Sequence, residues 1–291
     1  MTYRRRASPL HAARAGIGAA WCLALGGTAV SYDHPIVLAA LLLAALAGAL
    51  GAHVGREVAR AALYGVPFAL AIALVNALVS RAGVTLLLTS DPLPLVGPLD
   101  ITLEAIAYGG VLALRALVLV LAAGALLAAA VDPDELLRGL RRLSVRTGVT
   151  AALAIRLVPV LGRDAHRLAD ARRALTGTPP TGAERVALLR AVTTGALDRA
   201  TDVAATLEVR GFAGTQRPAR TARPWSRHDS AFLASAAGLC VLALAAALGG
   251  WAPFETTPRI EAPGITGALV LAAALLACAL APFLDRRGIE R

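Results

Sequence analysis

Six apolar runs, each close to the length of a bilayer-crossing helix, constrain this chain more than any other feature. They are Ala15–Val30, Pro35–Val54, Ala61–Ser80, Ala105–Val131, Ala231–Trp251 and Ile265–Leu284. A hydrocarbon core takes about 20 residues of helix to cross. Within it every backbone N–H and C=O must find its partner inside the protein, which favours helices for runs of this length. With 57% hydrophobic residues, 16% charged residues and a mean hydropathy of +0.66, the chain is too apolar for an ordinary soluble domain. Aromatic residues make up only 4%, while Ala, Leu, Val and Gly dominate, and such small residues let spans pack closely. The expected fold class is all-α: a polytopic membrane helix bundle of about six spans with a cytoplasmic set of helices.

The arginines orient that bundle. There is no Lys, and the net charge is +10. Assigning loops alternately to the two sides from a cytoplasmic N-terminus places 26 of the 29 arginines inside. Arg81 and Arg259 fall outside, and Arg115 lies within the fourth span. The short loops, which carry most of the orienting weight, hold nine inside against two outside. The expectation is a plasma-membrane protein with both termini cytoplasmic. Tyr3-Arg4-Arg5-Arg6 before an apolar run has the outline of a signal peptide. A second run starts at Pro35 and no Ala-x-Ala site intervenes, so the first helix is expected to be retained. Arginines in the loops of a membrane protein imply no nucleic-acid partner. The expected domains are 1–131, a four-span bundle; 132–228, a cytoplasmic helical region; and 229–291, a C-terminal transmembrane hairpin.

The outer loop Arg81–Glu104 contains Asp91-Pro92-Leu93-Pro94 and Gly97-Pro98, which read as breakers of regular structure in a lid or spacer. Thr102 or Asp100 stands ready to cap the fourth span. In the central region Asp132-Pro133-Asp134-Glu135 has the pattern of a helix start, leading into Leu136–Leu143. Thr147–Leu161 is apolar, yet it is short and holds Arg156 and Pro159. A seventh span there would invert every later loop, so an interfacial or bundle-packed helix fits better. Gly162–Leu175 continues as a charged helix until Gly177-Thr178-Pro179-Pro180. Glu184–Gly211 is the clearest amphipathic helix, with Val186, Leu189, Thr193, Ala196, Ala200, Val203 and Leu207 on one stripe. Arg199 and Arg210 flank that stripe, while Glu184, Asp198 and Asp202 point roughly the other way. Gly211 suits a left-handed C-cap, which sets Arg210 at the helix end. Thr215–Arg227 reads as an extended connector back to the membrane.

Little of this carries catalysis. Cys22, Cys240 and Cys278 sit singly in apolar runs and read as small buried residues. The five histidines are scattered, so no metal site and no cofactor is expected. Without Lys there is no phosphate-binding Gly-x-x-x-x-Gly-Lys loop, so any ATPase is a partner chain. Asp198 and Asp202, one helical turn apart, have a spacing that Mg²⁺ accepts. With Ala171-Arg172 upstream they are faintly similar to membrane phosphatidyl-transferases, but the Asp-Gly expected before Ala-Arg is missing and Arg199 stands between the acids. Solvated surface acids explain them better. A non-transporting membrane scaffold is a third class. Arg115 has two readings: a substrate or gating contact, or a cation held by a carbonyl or an acid near a helix end.

Several stretches resemble, in the right order, the transmembrane coupling component of energy-coupling-factor (ECF) transporters, the EcfT/CbiQ family. Ala205-Thr206-Leu207-Glu208-Val209-Arg210-Gly211-Phe212 is similar to that family's second Ala-Arg-Gly signature. Ile101-Thr102-Leu103-Glu104-Ala105 resembles its Thr-x-Glu helix start, and Arg115 falls where members carry an arginine. Asp132-Pro133-Asp134-Glu135-Leu136-Leu137 resembles the lead-in to the first coupling helix, and Arg156 with Pro159 its Arg-x-x-Pro element. The likeness covers about residues 95–215. It departs at the first Ala-Arg-Gly signature, where this chain has Ala171-Arg172-Arg173-Ala174-Leu175-Thr176-Gly177. Either Arg172 or Arg173 stands in from a turn away, or that grip is weakened.

The resemblance implies that two helix ends dock on two cytoplasmic ATP-binding subunits while the bundle holds a separate membrane substrate-binding subunit. It implies coupling residues Arg210, Gly211, Glu208, Arg172 and Arg173, with Arg156, Pro159 and Arg199 shaping the helices. The cargo, a vitamin or metal ion, is then chosen by another subunit.

Overall fold

The computed structural model describes residues 5–80, 84–93, 97–140, 145–177, 181–209, 211, 224–254 and 265–285. The chain forms two compact units, Met1–Leu136 with Trp225–Arg291, and Leu137–Pro224. In the larger unit, a short helix α1 (Pro9–Ala12) precedes α2 (Ala15–Ser31), α3 (Pro35–Gly51) and α4 (Gly55–Val79). After a hairpin come α5 (Leu103–Val118), a π-helical segment (Leu119–Leu126) and α6 (Leu127–Ala130), which run as one apolar rod. Helices α10 (Arg227–Gly249) and α11 (Ile265–Leu280), the latter followed by a 3-10 turn (Ala281–Phe283), complete the unit. Four of these rods are long and apolar enough to cross a membrane; α2 and α3, at 17 residues each, are shorter apolar helices near the lower limit. All six apolar runs are therefore helices of a multi-pass membrane bundle.

Helix α4 begins earlier than the apolar run it contains. Its first turns carry Arg56, Glu57 and Arg60, which the sequence placed in a loop. The reason is partly tertiary: Glu57 lies in the positive first turn and pairs with the distant Arg6, which also donates to the His53 carbonyl.

Between α4 and α5 the connecting segment is more regular than its prolines implied. Strands β1 (Leu86–Leu93) and β2 (Gly97–Thr102) pair antiparallel, Leu86 opposite Thr102 and Leu93 opposite Gly97. The register shifts between Ser90 and Leu93, so Pro92, which has no N–H to donate, falls in an irregularity rather than in the ladder. The hairpin is tied to the span it precedes. Thr85 donates its N–H and, at 2.8 Å, its hydroxyl to the buried Glu104 carboxylate, and the Leu103 N–H reaches the Thr85 carbonyl at 3.0 Å. Thr102 is the cap of α5, its Oγ1 accepting from the Ala105 N–H at 3.2 Å.

Small residues set the packing. A Cβ at Gly109 would lie 2.7 Å from the Ala73 carbonyl oxygen, so α4 and α5 touch backbone to backbone. Gly48 and Gly51 of α3 make room for Trp21 and Phe283. Trp21, Phe232 and Phe283 meet edge to face, with ring centres 5.2 to 5.6 Å apart. The buried indole donates to Ser235 Oγ at 3.0 Å, and that hydroxyl donates to the Cys278 carbonyl at 2.7 Å. All three cysteines are free thiols; Cys22 is buried and Cys278 half-buried, but Cys240 is exposed, contrary to the expectation of three buried residues.

The chain passes from the membrane unit into the second one within a short helix, and the two helices that follow are long and barely covered. Helix α7 (Pro133–Leu140) starts where the sequence indicated, with Asp132 Oδ1 accepting from the Asp134 N–H at 2.9 Å; residues 141–144 lie outside the described set. Helix α8 (Val145–Thr176) joins the apolar and the charged stretches into one rod of 32 residues, with Pro159 inside it. Helix α9 (Gly182–Val209) follows. The expected stripe is covered only in part: Ala196, Val203 and Leu207 are half-buried, while Val186, Leu189, Thr193 and Ala200 are exposed and Glu184, Leu188 and Val192 are half-buried in the first turns. Two ion pairs with α8 decide the facing side, which a helical wheel alone cannot identify.

Candidate functional site

Helix α8 stops at Gly177 (φ +66°), whose N–H meets the Arg173 carbonyl at 2.8 Å. Helix α9 stops at Gly211 (φ +69°), whose N–H meets the Glu208 carbonyl at 2.9 Å. Both glycines occupy the left-handed region that a Cβ disfavours, and among the described residues nothing lies within 4 Å of where that Cβ would be. Two residues before each glycine stands a bare apolar side chain: Leu175 is 87% exposed and Val209 90%. The two ends therefore share one construction, and the sequence did not show it, because exposure is a tertiary property.

They differ in the residue between. At the second end it is Arg210, which lies outside the described residues, so its placement is not part of this geometry. At the first end it is Thr176, whose hydroxyl turns back to the Arg172 carbonyl at 3.0 Å. Of the two arginines considered for this end, Arg172 is engaged internally. Its guanidinium pairs with Glu184 across the α8–α9 turn, and Glu184 also accepts from the Thr181 N–H at 2.9 Å. The Thr181 N–H, and after it Arg172, hold the Glu184 carboxyl below the ordinary carboxylate range. Glu184 thus faces α8, correcting the expectation that it points away. Arg173 is mostly exposed, with Asp170 at the 4.0 Å limit of an ion pair. Glu208 is exposed beside the second end.

Arg199 binds Asp164 of α8 at 3.0 Å, so it ties the two rods together rather than flanking a free stripe. Pro159 lies within α8, and its carbonyl accepts from Arg163 Nε at 3.2 Å; the side chain of Arg156 lies outside the described set. Asp198 and Asp202 are exposed, and among the described residues no group of three or more His, Cys, Asp or Glu is placed to hold a metal.

Arg115 is held at the end of a neighbouring helix. Its Nε donates to the Ala29 carbonyl at 3.2 Å, its Nη2 to the Tyr32 carbonyl at 3.0 Å, and it pairs with Asp33. These are the carbonyls at the C-terminus of α2, the negative end of that helix. Such contacts are those of the helix-end reading.

One charged cluster escaped the sequence reading. Asp229, at the third position of α10, is fully buried and forms a capping box with Ser226. The Ser-x-x-Asp spacing before an apolar run was a detectable signal; its partner Arg14, more than two hundred residues away in sequence, was not.

The family model CbiQ, a cobalt transport protein, matches residues 6–221. No curated protein matches the chain. The match takes in four of the apolar rods, the hairpin and both glycine-ended helices, and on that extent the chain belongs to the CbiQ cobalt transport protein family and is a component of a membrane transport complex.

Proposed function

We propose that this protein is the transmembrane coupling subunit of an ECF-type ABC importer in the plasma membrane. It passes ATP-driven motion from two cytoplasmic ATP-binding subunits to a membrane substrate-binding subunit that takes up a vitamin or a metal ion, cobalt being the cargo in the family's description. The chain itself is non-catalytic, and ATP is hydrolysed in the partner chains. Both termini and the region 132–228 are cytoplasmic.

The observation that carries this reading is the matched pair of helix ends. Two ends, each with an exposed apolar residue two places before a left-handed glycine, suit two copies of one kind of groove. Leu175 and Val209 supply apolar contact, and an arginine supplies a forked, charge-assisted pair with a carboxylate in the groove. Arg210 takes that part at the second end. At the first end Arg173 takes it, since Arg172 is held by Glu184. At 1.5 Å per residue the 32 residues of α8 make a rod about 48 Å long. Motion delivered at its tip is carried along the helix rather than absorbed locally.

The direct test is Arg210→Glu in the assembled transporter, with ATP-driven cobalt uptake as the readout. Loss of uptake with the protein still inserted and expressed is expected, by about two orders of magnitude for a desolvated charge pair reversed. Uptake equal to wild type would sink the reading. A tag near residue 180 reachable only from the cell exterior would sink it as well.

A further inference from the structure

The chain leaves the membrane unit after Leu136 and returns to it at Trp225. What happens at the return is unusual for the end of a connector. Asp229 is 0% exposed. A capping box alone needs only Ser226, whose N–H donates to Asp229 Oδ2 at 3.0 Å and whose Oγ accepts the Asp229 N–H at 3.1 Å. Here the same carboxylate also takes the Arg14 backbone N–H at 2.7 Å on Oδ1 and faces Arg14 Nε at 3.3 Å on Oδ2. The Arg14 guanidinium lies over the Trp225 ring, 4.9 Å from its centre. Arg14 is the residue from which α2 starts. The first turn of α10 is thus fastened to the first turn of α2. The two helices stay joined beyond it, through Trp21 and Ser235 and then through the Tyr32 hydroxyl on the Ala243 carbonyl.

We propose that Asp229 and Arg14 are the positioning pair through which the returning connector acts on the bundle. This rests on the coupling role above. A pull arriving at Trp225 meets a buried, doubly bonded carboxylate, so it moves α2 and α10 together instead of unwinding the first turn of α10. Removing the pair while keeping the helix cap leaves the ATPase side working but disconnects it from transport.

The experiment uses the full chain in its assembled complex, reconstituted in liposomes, measuring ATP hydrolysis and ATP-driven uptake of radiolabelled cobalt side by side. For Asp229→Asn the expected result is near-normal hydrolysis with cobalt moved per ATP reduced about tenfold, the size of an ordinary coupling loss. Arg14→Gln behaves the same way. Arg14→Lys, which keeps a cation and the backbone N–H, restores the ratio, and Ser226→Ala, which removes only the capping hydroxyl, preserves it. An unchanged ratio in Asp229→Asn overturns the proposal. So does an equal loss in Ser226→Ala, which would reduce the effect to helix capping, or failure of both Asp229→Asn and Arg14→Gln to assemble, which would make the pair a folding element. Failure of the coupling role itself shows earlier and separately, as a wild-type complex whose uptake ignores ATP.

Discussion

Glycine does opposite work in the two units. In the membrane unit Gly109, Gly48 and Gly51 are places where another atom already fills the space a side chain needs, and the helices close on one another there. In the other unit Gly177 and Gly211 have none of the described residues within 4 Å of a Cβ position and serve their own backbone, turning it left-handed at a helix end. Polar groups follow the same division. Trp21, Ser235 and Cys278 are bonded across three helices inside the bundle. Helices α8 and α9 are joined by half-exposed ion pairs, Arg172 with Glu184 and Arg199 with Asp164. Such pairs contribute at most about 1 kcal/mol each and weaken with salt. One unit is built to hold a shape, the other to present ends.

The contrast is sharpened by perturbing each side, starting where the effect is largest. Trp21→Ala removes the ring that Phe232 and Phe283 both pack against and leaves Ser235 without its donor. A loss of about 4 kcal/mol is expected, read as unfolding in detergent, with the α8–α9 helix ends unaffected. Gly109→Val drives a side chain into the Ala73 carbonyl of α4. Because the obstacle is backbone, about 3 kcal/mol is expected, and cysteine cross-linking between α4 and α5 should report their separation. If Gly177→Val costs as much, the division between the two kinds of glycine fails.

Arg115→Leu leaves the Ala29 and Tyr32 carbonyls without their donor at the end of α2. About 2 kcal/mol is expected from unpaired carbonyls, with uptake falling only in step with the amount of folded protein. A selective loss of uptake at full stability would favour the gating contact instead. The smallest effect belongs to the α8–α9 tie. The Glu184 carboxyl is held below its ordinary value of 4.5, so its contribution is complete above that value and is lost as the pH falls through the lowered one. Spin labels at the exposed Leu175 and Val186 should show a narrow distance distribution at about pH 7 that broadens in acid. Glu184→Gln should be broad throughout. A width indifferent to pH would mean that packing, not charge, sets the angle.

What was legible in the sequence follows the same line. Six apolar runs read as helices because length and hydropathy are summed along the chain, and each run does lie in a helix. Caps at Thr102, Asp132 and Gly211 were legible for the same local reason. Contacts between distant residues were not. Arg115 had two readings, and its contacts with the Ala29 and Tyr32 carbonyls are those of the helix-end one. Pro92 looked like a terminator, yet a shift in register accommodates it. The stripe was right at Ala196, Val203 and Leu207, which are half-buried, and wrong at Val186 and Leu189, where Glu184 and Leu188 take the covered side instead.

The amino-acid order by itself determined that this chain is a multi-span helical membrane protein, where several of its helices are capped, and which family pattern it carries. The tertiary structure alone decided which charges are engaged: Arg172 and Arg199 held between α8 and α9, Arg115 and Arg14 held at the two ends of α2, and Arg173 left outward. A helix end or an apolar run is specified by neighbours within one or two turns. The partner of a charge is specified by whichever chain segment folding brings within about 4 Å, and no local pattern encodes that.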